Sequence, residues 1–370
     1  MARSYGANAT LLLKRETEYG TNPGGNFLRM PFNRCSLGSE QGLIDDPVLG
    51  YGRDPRSPLL DVINDDGDIV VPLDVRHLGL WLTGLLGDPA TTGTGPYVHT
   101  FASGAASLPS FSAEVGLSQV PAYFLHTGVM LNSIALEFTR SGAAAATINA
   151  IAQGETRNDT TQGGTPTTLA FNRISQFQGS IKRAGAAVAN LTGGSLTYSN
   201  NLERIETIRN DGKIDGADPT IAALTGRIDV RYSDNTLIDL AAAGTPVDLE
   251  FAYTIDANNK VVFTCHEVYL PKPKLAVEGP GGVQASFDFQ GAWNEAEGAG
   301  PTTLTERATR KGPRRGAAGG RGAARGGAGG GGGRTRSPRG GGPRGPGAPP
   351  PGGGGRANGS AAVRSGCDDH

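Results

Sequence analysis

Val283-Gln284-Ala285-Ser286-Phe287-Asp288-Phe289-Gln290 alternates without a break between apolar and polar residues. A β-strand sends successive side chains to opposite faces, so Val283, Ala285, Phe287 and Phe289 point one way and the four polar residues the other. This is the pattern of a half-buried strand in an antiparallel sheet. Similar short runs, cut by clusters of Gly, Pro, Asn and Asp, recur at 69–75, 110–117, 129–138, 146–153, 226–232, 247–254 and 261–270. They predict a mainly β protein. Helical spacing is confined to 75–86, where Leu78, Leu82 and Leu85 share a face, and to an alanine-rich stretch at 235–243.

The opening strand has an earlier double. Sliding the chain along itself by one ungapped offset sets Ala146, Ile148 and Asn149 on Ala285, Phe287 and Asp288. The same offset sets Phe124, Val129, Leu131 and Leu136 on Phe263, Val268, Leu270 and Leu275. With small gaps upstream, Glu114 meets Glu250, Asp74-Val75-Arg76 meets Asp229-Val230-Arg231, and Ser36-Leu37 meets Ser195-Leu196. Preserved order predicts two tandem, internally duplicated β-sandwich or β-barrel domains with one short helix each. They occupy residues 1–155 and 176–300, with a linker at 156–175 that is rich in Gly and Thr over 156–169.

Each copy carries a long segment before its helix, 38–67 in the first and 199–224 in the second. These exceed ordinary hairpin connections and are expected to be arms that contact a neighbour. Leu43, Ile44, Val48, Leu49, Leu59, Leu60, Val62 and Ile63 make the first too apolar for a freely solvated loop.

The overall charge of −1 hides an asymmetry. Residues 307–370 hold 12 Arg and Lys311 against Asp368 and Asp369, a balance of +11 that leaves −12 for the body. Such a body should stay soluble and repel polyanions. The tail, 301–370 in the domain division, is dominated by Gly, Arg, Pro and Ala and offers no material for a core, so it is expected to be disordered. Its composition is that of GC-rich DNA read out of frame, the favoured origin, with a nucleic-acid-binding segment as the alternative.

No catalytic constellation stands out. His77, His99, His126, His266 and His370 are isolated, and Cys35, Cys265 and Cys367 form neither a disulfide framework nor a zinc pattern. Gly279-Pro280-Gly281-Gly282 lies between strands and reads as a turn rather than a phosphate cradle. Asn64-Asp65-Asp66-Gly67-Asp68 lacks the alternation of a calcium loop, and Asp211, Asp215 and Asp218 also read as turn residues. No enzyme activity, cofactor or metal is expected. Leu11, Leu12 and Leu13, followed by Lys14, make no secretory leader, and no apolar run approaches membrane-spanning length, so no membrane partner is expected.

Several phrases together resemble the larger tail-tube (major tail) proteins of long-tailed bacteriophages and prophages. They are Ala2-Arg3-Ser4-Tyr5-Gly6-Ala7-Asn8-Ala9, Val71-Pro72-Leu73-Asp74-Val75-Arg76, Tyr97-Val98-His99-Thr100-Phe101, Gly128-Val129-Met130-Leu131-Asn132-Ser133, Ser199-Asn200-Asn201-Leu202-Glu203, and Val268-Tyr269-Leu270-Pro271 with Gly279-Pro280-Gly281-Gly282-Val283. The likeness spans residues 2–295. Relatives continue into a final short strand, whereas here Thr302-Thr303-Leu304-Thr305 runs into the arginine-rich tail.

The resemblance implies a structural virion protein that self-assembles into stacked rings forming a tail tube for DNA ejection. Its partners would be further copies of itself, in trimeric pseudo-sixfold rings or alternatively hexamers, and other phage tail proteins. Genomic DNA would pass through the lumen without specific binding, and assembly would occur in the bacterial host cytoplasm. Glu114, Asn149, Gln153, Glu250, Asp288 and Gln290 are then expected to face the lumen. Leu43, Ile44, Leu59, Leu60, Arg204 and Ile205 are expected at contacts between subunits. The competing readings are a monomeric carbohydrate- or cell-surface-binding β-sandwich module, and a nucleic-acid binder acting through the tail.

Overall fold

The computed structural model describes residues 3–277, 279–295 and 300–308. The tail from 309 onward, including the expectations placed on it, lies outside the described residues. Twenty-one strands follow in chain order: β1 Ala9–Arg15, β2 Leu28–Met30, β3 Arg34–Cys35, β4 Gly38–Ile44, β5 Leu59–Pro72, β6 Ala90–Thr92, β7 Tyr97–Ala102, β8 Phe111–Leu117, β9 Ala122–Phe138, β10 Ala145–Ala152, β11 Gly154–Asn158, β12 Gly179–Arg183, β13 Ala186–Ala187, β14 Leu191–Ser199, β15 Glu203–Ile205, β16 Gly216–Asp218, β17 Ala223–Arg231, β18 Val247–Asp256, β19 Asn259–Tyr269, β20 Gln284–Gly291 and β21 Thr302–Ala308. Helices α1 (Leu78–Leu86) and α2 (Thr236–Ala243) precede β6 and β18. The protein is mainly β, and its sheets are open rather than closed into barrels.

Both halves pair their strands in one order. In the first it is β2·β1·β8·β9·β10·β5, with β3 and β4 on the far side of β5; in the second it is β13·β12·β18·β19·β20·β17·β14. Each helix connects the equivalent strands, β5 to β6–β8 and β17 to β18. The rung Ile148↔Ile69 corresponds to Phe287↔Ile228, and Ala146↔Val71 to Ala285↔Val230. This register corrects one sequence match: Asp229, Val230 and Arg231 lie inside β17, whereas Asp74, Val75 and Arg76 follow β5 in the turn into α1. The core positions Ile69 and Val71 fix the true equivalence, and the triplet matched four residues out of step. Ser36-Leu37 and Ser195-Leu196 do correspond, since Ser36 N donates to Asp68 O as Ser195 pairs with Arg227.

The expected alternation in the opening strand is observed, with Ala285, Phe287 and Phe289 buried between exposed Gln284, Ser286, Asp288 and Gln290. In α1, Leu78, Trp81, Leu82 and Leu85 are all buried against the sheets. Gly84 passes so close to β9 that a Cβ there would lie 2.5 Å from Leu131. Asn200, just past β14, donates through Nδ2 to Leu85 O at 3.0 Å and Leu131 O at 3.1 Å, tying α1 to β9. Asn200→Ala would orphan two buried carbonyls, and a loss of about 2 kcal/mol is expected in chemical denaturation.

One core runs through both halves. They are joined where β9 pairs β14, from Phe138↔Gly194 to Ser133↔Ser199, and where β21 pairs β7. The strand β21 also pairs β19, so residues 302–308, expected to be disordered as the start of the 301–370 tail, instead form a final strand with partners on both sides. Residues 156–175, read as a linker, are held tightly. Thr156, Arg157 and Asn158 belong to β11, and Phe27 N donates to Gly163 O while Thr167 N donates to Phe27 O at 2.8 Å.

Where β21 meets this core, Glu306 is buried, and burial together with the Asp74 carboxylate pushes its carboxyl up to about 8. Asp74 itself, despite burial, is held below the usual range by His77 Nδ1 at 2.8 Å and by the Arg76 and Asn172 amides. Between about pH 4.5 and about 8 the folded chain keeps the Glu306 proton that the unfolded chain has lost. Stability therefore falls as pH rises through that window and the contribution levels off above it. Thermal melts are expected to drop more between pH 5 and pH 9 in the unaltered chain than in Glu306→Gln; equal drops would contradict this.

Candidate assembly surface

Seven strand positions lie side by side in one sheet: β3 with β4, then β5, β10, the second half of β9, β14, β17 and β20. Alternation divides its faces. Ile69, Val71, Ile134, Leu136, Phe138, Ala146, Ile148, Leu196, Ile228 and Phe287 face the core and are buried. The intervening residues form a polar face that crosses both halves. One row runs Asp68, Asn149, Ser133, Ser199, and another Glu137, Ser195, Arg227, Asp288.

This face carries the carboxylates of Asp66, Asp68, Glu137, Asp229 and Asp288. Arg227 Nε sits 3.1 Å from Asp229 Oδ1, and Arg34 and Arg231 stand on the edge strand β3 and at the end of β17. Asn149 Nδ2 donates to Asp68 Oδ1 at 2.9 Å and Asn149 Oδ1 accepts from Asn132 Nδ2 at 3.1 Å, so the row is braced by short polar side chains.

The first long segment proves to be a β-hairpin, β4 with β5, rather than a loop. Its outer part exposes Leu43 (65%), Leu49 (91%) and Leu60 (69%), together with Ile44, Val48, Tyr51, Leu59 and Val62. Its base is pinned. His126 Nδ1 lies 2.9 Å from the buried Asp65 Oδ2, Arg204 pairs with Asp66 and reaches Asn64 Oδ1 at 3.0 Å, and Ile63 N donates to Gly212 O. The second long segment folds into the small β15·β16 ladder that supplies this clamp. Within it Arg209 contacts Asp211 at 2.9 Å and Asp215 at 2.7 Å, and the Arg209 hydrogen bond lowers the Asp211 carboxyl to about 2.

Residues 6–291 match the family model for the phage tail tube protein. The chain belongs to the phage tail tube family. A search of curated proteins finds no match. Membership supports a structural role in the tail tube and a place in the virion tail. Among the described residues no group of three or more His, Cys, Asp or Glu side chains is placed to hold a metal ion, and no helix is long and apolar enough to cross a membrane.

In this tail tube chain the six residues expected at a lumen separate into groups. Asn149, Asp288 and Gln290 lie on the polar face. Gln153 follows β10 and is half-buried beside Gly20. Glu114 and Glu250 occupy equivalent places in the other layer, on β8 and β18, and do not belong to this face. Glu114 is fully buried, accepting from Thr161 Oγ1 at 2.6 Å and Gln162 N at 2.5 Å. It anchors the 160–163 segment, and a carboxylate so enclosed cannot line a wall. Glu250 is paired with Lys182 at 2.6 Å.

Of the residues expected between subunits, Leu43, Ile44, Leu59 and Leu60 are exposed on the hairpin arm, while Arg204 and Ile205 belong to the clamp at its base. The polar face also carries Asp68, Glu137 and Asp229, which the sequence reading did not single out. Each alternates with buried neighbours, Ile69, Leu136 with Phe138, and Ile228 with Val230, so strand alternation alone carried the signal.

Proposed function

We propose that this chain assembles into rings that stack into the tail tube and that its polar sheet face lines the DNA passage. The observation that carries the reading is the continuous seven-position sheet that crosses both halves and keeps one acid-bearing face throughout. A wall of carboxylates braced by amides and hydroxyls repels a phosphate backbone, so DNA slides without adhering during ejection. Residues 1–155 and 176–300 serve as two copies of one tube domain, and three chains make a pseudo-sixfold ring. The apolar arms bridge to adjacent subunits or rings, covering surface that a solitary chain leaves in water. Other tail proteins cap the tube ends, and assembly takes place in the cytoplasm of the bacterial host.

Native mass spectrometry of the purified chain tests the stoichiometry. Species at multiples of three chains are the expected result; a strictly monomeric particle at high concentration would overturn the proposal.

A further inference from the structure

The internal joint between the halves has a second, unfilled counterpart. Inside the chain, residues 133–138 of β9 pair with 194–199 of β14 in the register Phe138↔Gly194, Leu136↔Leu196, Ile134↔Tyr198. Strand for strand, β19 is the equivalent of β9, and β3 with β4 is the equivalent of β14. The counterpart of 133–138 is therefore 272–277, and that of 194–199 is 35–40.

Neither counterpart has the strand partner that its equivalent has in the internal joint. Residues 271–277 follow β19 without strand pairing among the described residues. Leu136 and Phe138 are buried by the internal joint at 1% and 5% exposure, whereas their equivalents Leu275 and Val277 are 38% and 76% exposed. On the other side, β3 and β4 pair with β5 along one edge and with no other strand among the described residues. The outward direction of that edge is correct as well. Ser36 N points inward to Asp68 O, while Ser39 N points outward and is held by the Glu155 carboxylate at 3.2 Å. Its equivalent, Tyr198, lies on the strand whose next residue but one, Asn200, donates its N–H across to Asn132 O on the β9 side.

Resting on the ring reading above, we propose that residues 272–277 of one chain add antiparallel to residues 35–40 of the next, repeating the internal joint between copies. The register is Cys35↔Val277, Ser36↔Ala276, Leu37↔Leu275, Gly38↔Lys274, Ser39↔Pro273 and Glu40↔Lys272. It buries Leu275 and Val277 against the core-facing side beside Leu37 and sets Glu40 opposite Lys272 on the polar face. Ser39 N exchanges the Glu155 carboxylate for the Pro273 carbonyl. Pro273 has no N–H where Ile134 has one, so this ladder is one bond shorter than the internal one; the same proline discourages pairing with the wrong strand. The contact is head-to-tail, uses two different edges, and closes into a ring when the rotation between copies divides a full turn. With this strand added, each chain supplies about eight strands, and three chains close about 24 at about 4.8 Å spacing, a wall roughly 115 Å around and roughly 37 Å across between backbones.

Disulfide trapping in assembled full-length protein tests the register. In a Cys35→Ser background, Ser36→Cys with Ala276→Cys places two thiols on one non-hydrogen-bonded rung, within disulfide reach. Mild oxidation is expected to give a non-reducing gel ladder that ends at the trimer, at least about tenfold above either single-cysteine variant. Ser36→Cys with Val277→Cys puts the thiols on opposite faces and is expected to stay at the single-variant level. Normal rings in the Ser36→Cys, Ala276→Cys variant without cross-links above the single variants would overturn the pairing and leave ring assembly intact. If the unaltered chain forms no rings, both the pairing and the reading beneath it fall.

Discussion

Glu16→Ala is expected to cost about 3–5 kcal/mol of folding stability and lower the melting temperature by about 10 °C. The Glu16 carboxylate is buried where β1 ends, and both of its oxygens are fully engaged. Oε1 accepts from Ser112 Oγ at 2.7 Å and Gly128 N at 2.9 Å; Oε2 accepts from Ser110 Oγ at 2.7 Å and Gly20 N at 2.9 Å. Alanine would strand these donors, most of them buried. Gly128 matters most, because its φ of +65° marks the point where β9 leaves the layer shared with β8 and enters the polar-faced sheet. Glu16→Gln keeps the shape but turns one acceptor into a donor, so an intermediate loss is expected. Urea denaturation of the three proteins checks the order; an alanine variant within 1 kcal/mol of the unaltered chain would show that the bend holds without the carboxylate.

The second large effect is on assembly. Replacing Leu43, Ile44, Leu59 and Leu60 together with serine is expected to leave the melting temperature nearly unchanged, because all four are exposed on the hairpin. Tube formation, counted by electron microscopy at fixed protein concentration, is expected to fall at least about tenfold. An isolated chain gains nothing from these side chains in water, so their apolar surface is useful only when a neighbour covers it. Tubes at the unaltered yield would remove the arm from assembly. A melting point several degrees lower would instead make the arm part of the fold.

Much of the architecture was legible because short-range periodicity encodes it. The alternation around Phe287 named a strand with the correct inward face, and Leu78, Leu82 and Leu85 named the helix that covers the sheets. The repeat was legible wherever core residues carried it, as with Ile148 and Phe287. It slipped at Asp74-Val75-Arg76, where three identical residues fall in a turn in one half and a strand in the other.

Long-range partners were harder to read. Glu114 matches Glu250 in sequence and in register, but nothing local to β8 reveals that Thr161 and Gln162, some fifty residues on, fold over it. The strand pairing within the arm was not legible, because Leu43 and Leu60, paired across its outer part, are both exposed and break the inside–outside rhythm that identifies a strand. Glu16 gave no signal either, since its four donors come from three separate stretches of chain.

The central claim is that the polar face crossing both halves is the inner wall of a tube. Cryo-electron microscopy of tubes assembled from the full chain tests it most directly. Asp68, Asn149, Glu137, Arg227, Asp288 and Gln290 are predicted to surround the lumen, with the arms reaching to neighbouring subunits. Tubes in which this face points outward, or is buried between rings away from the central channel, would contradict the account.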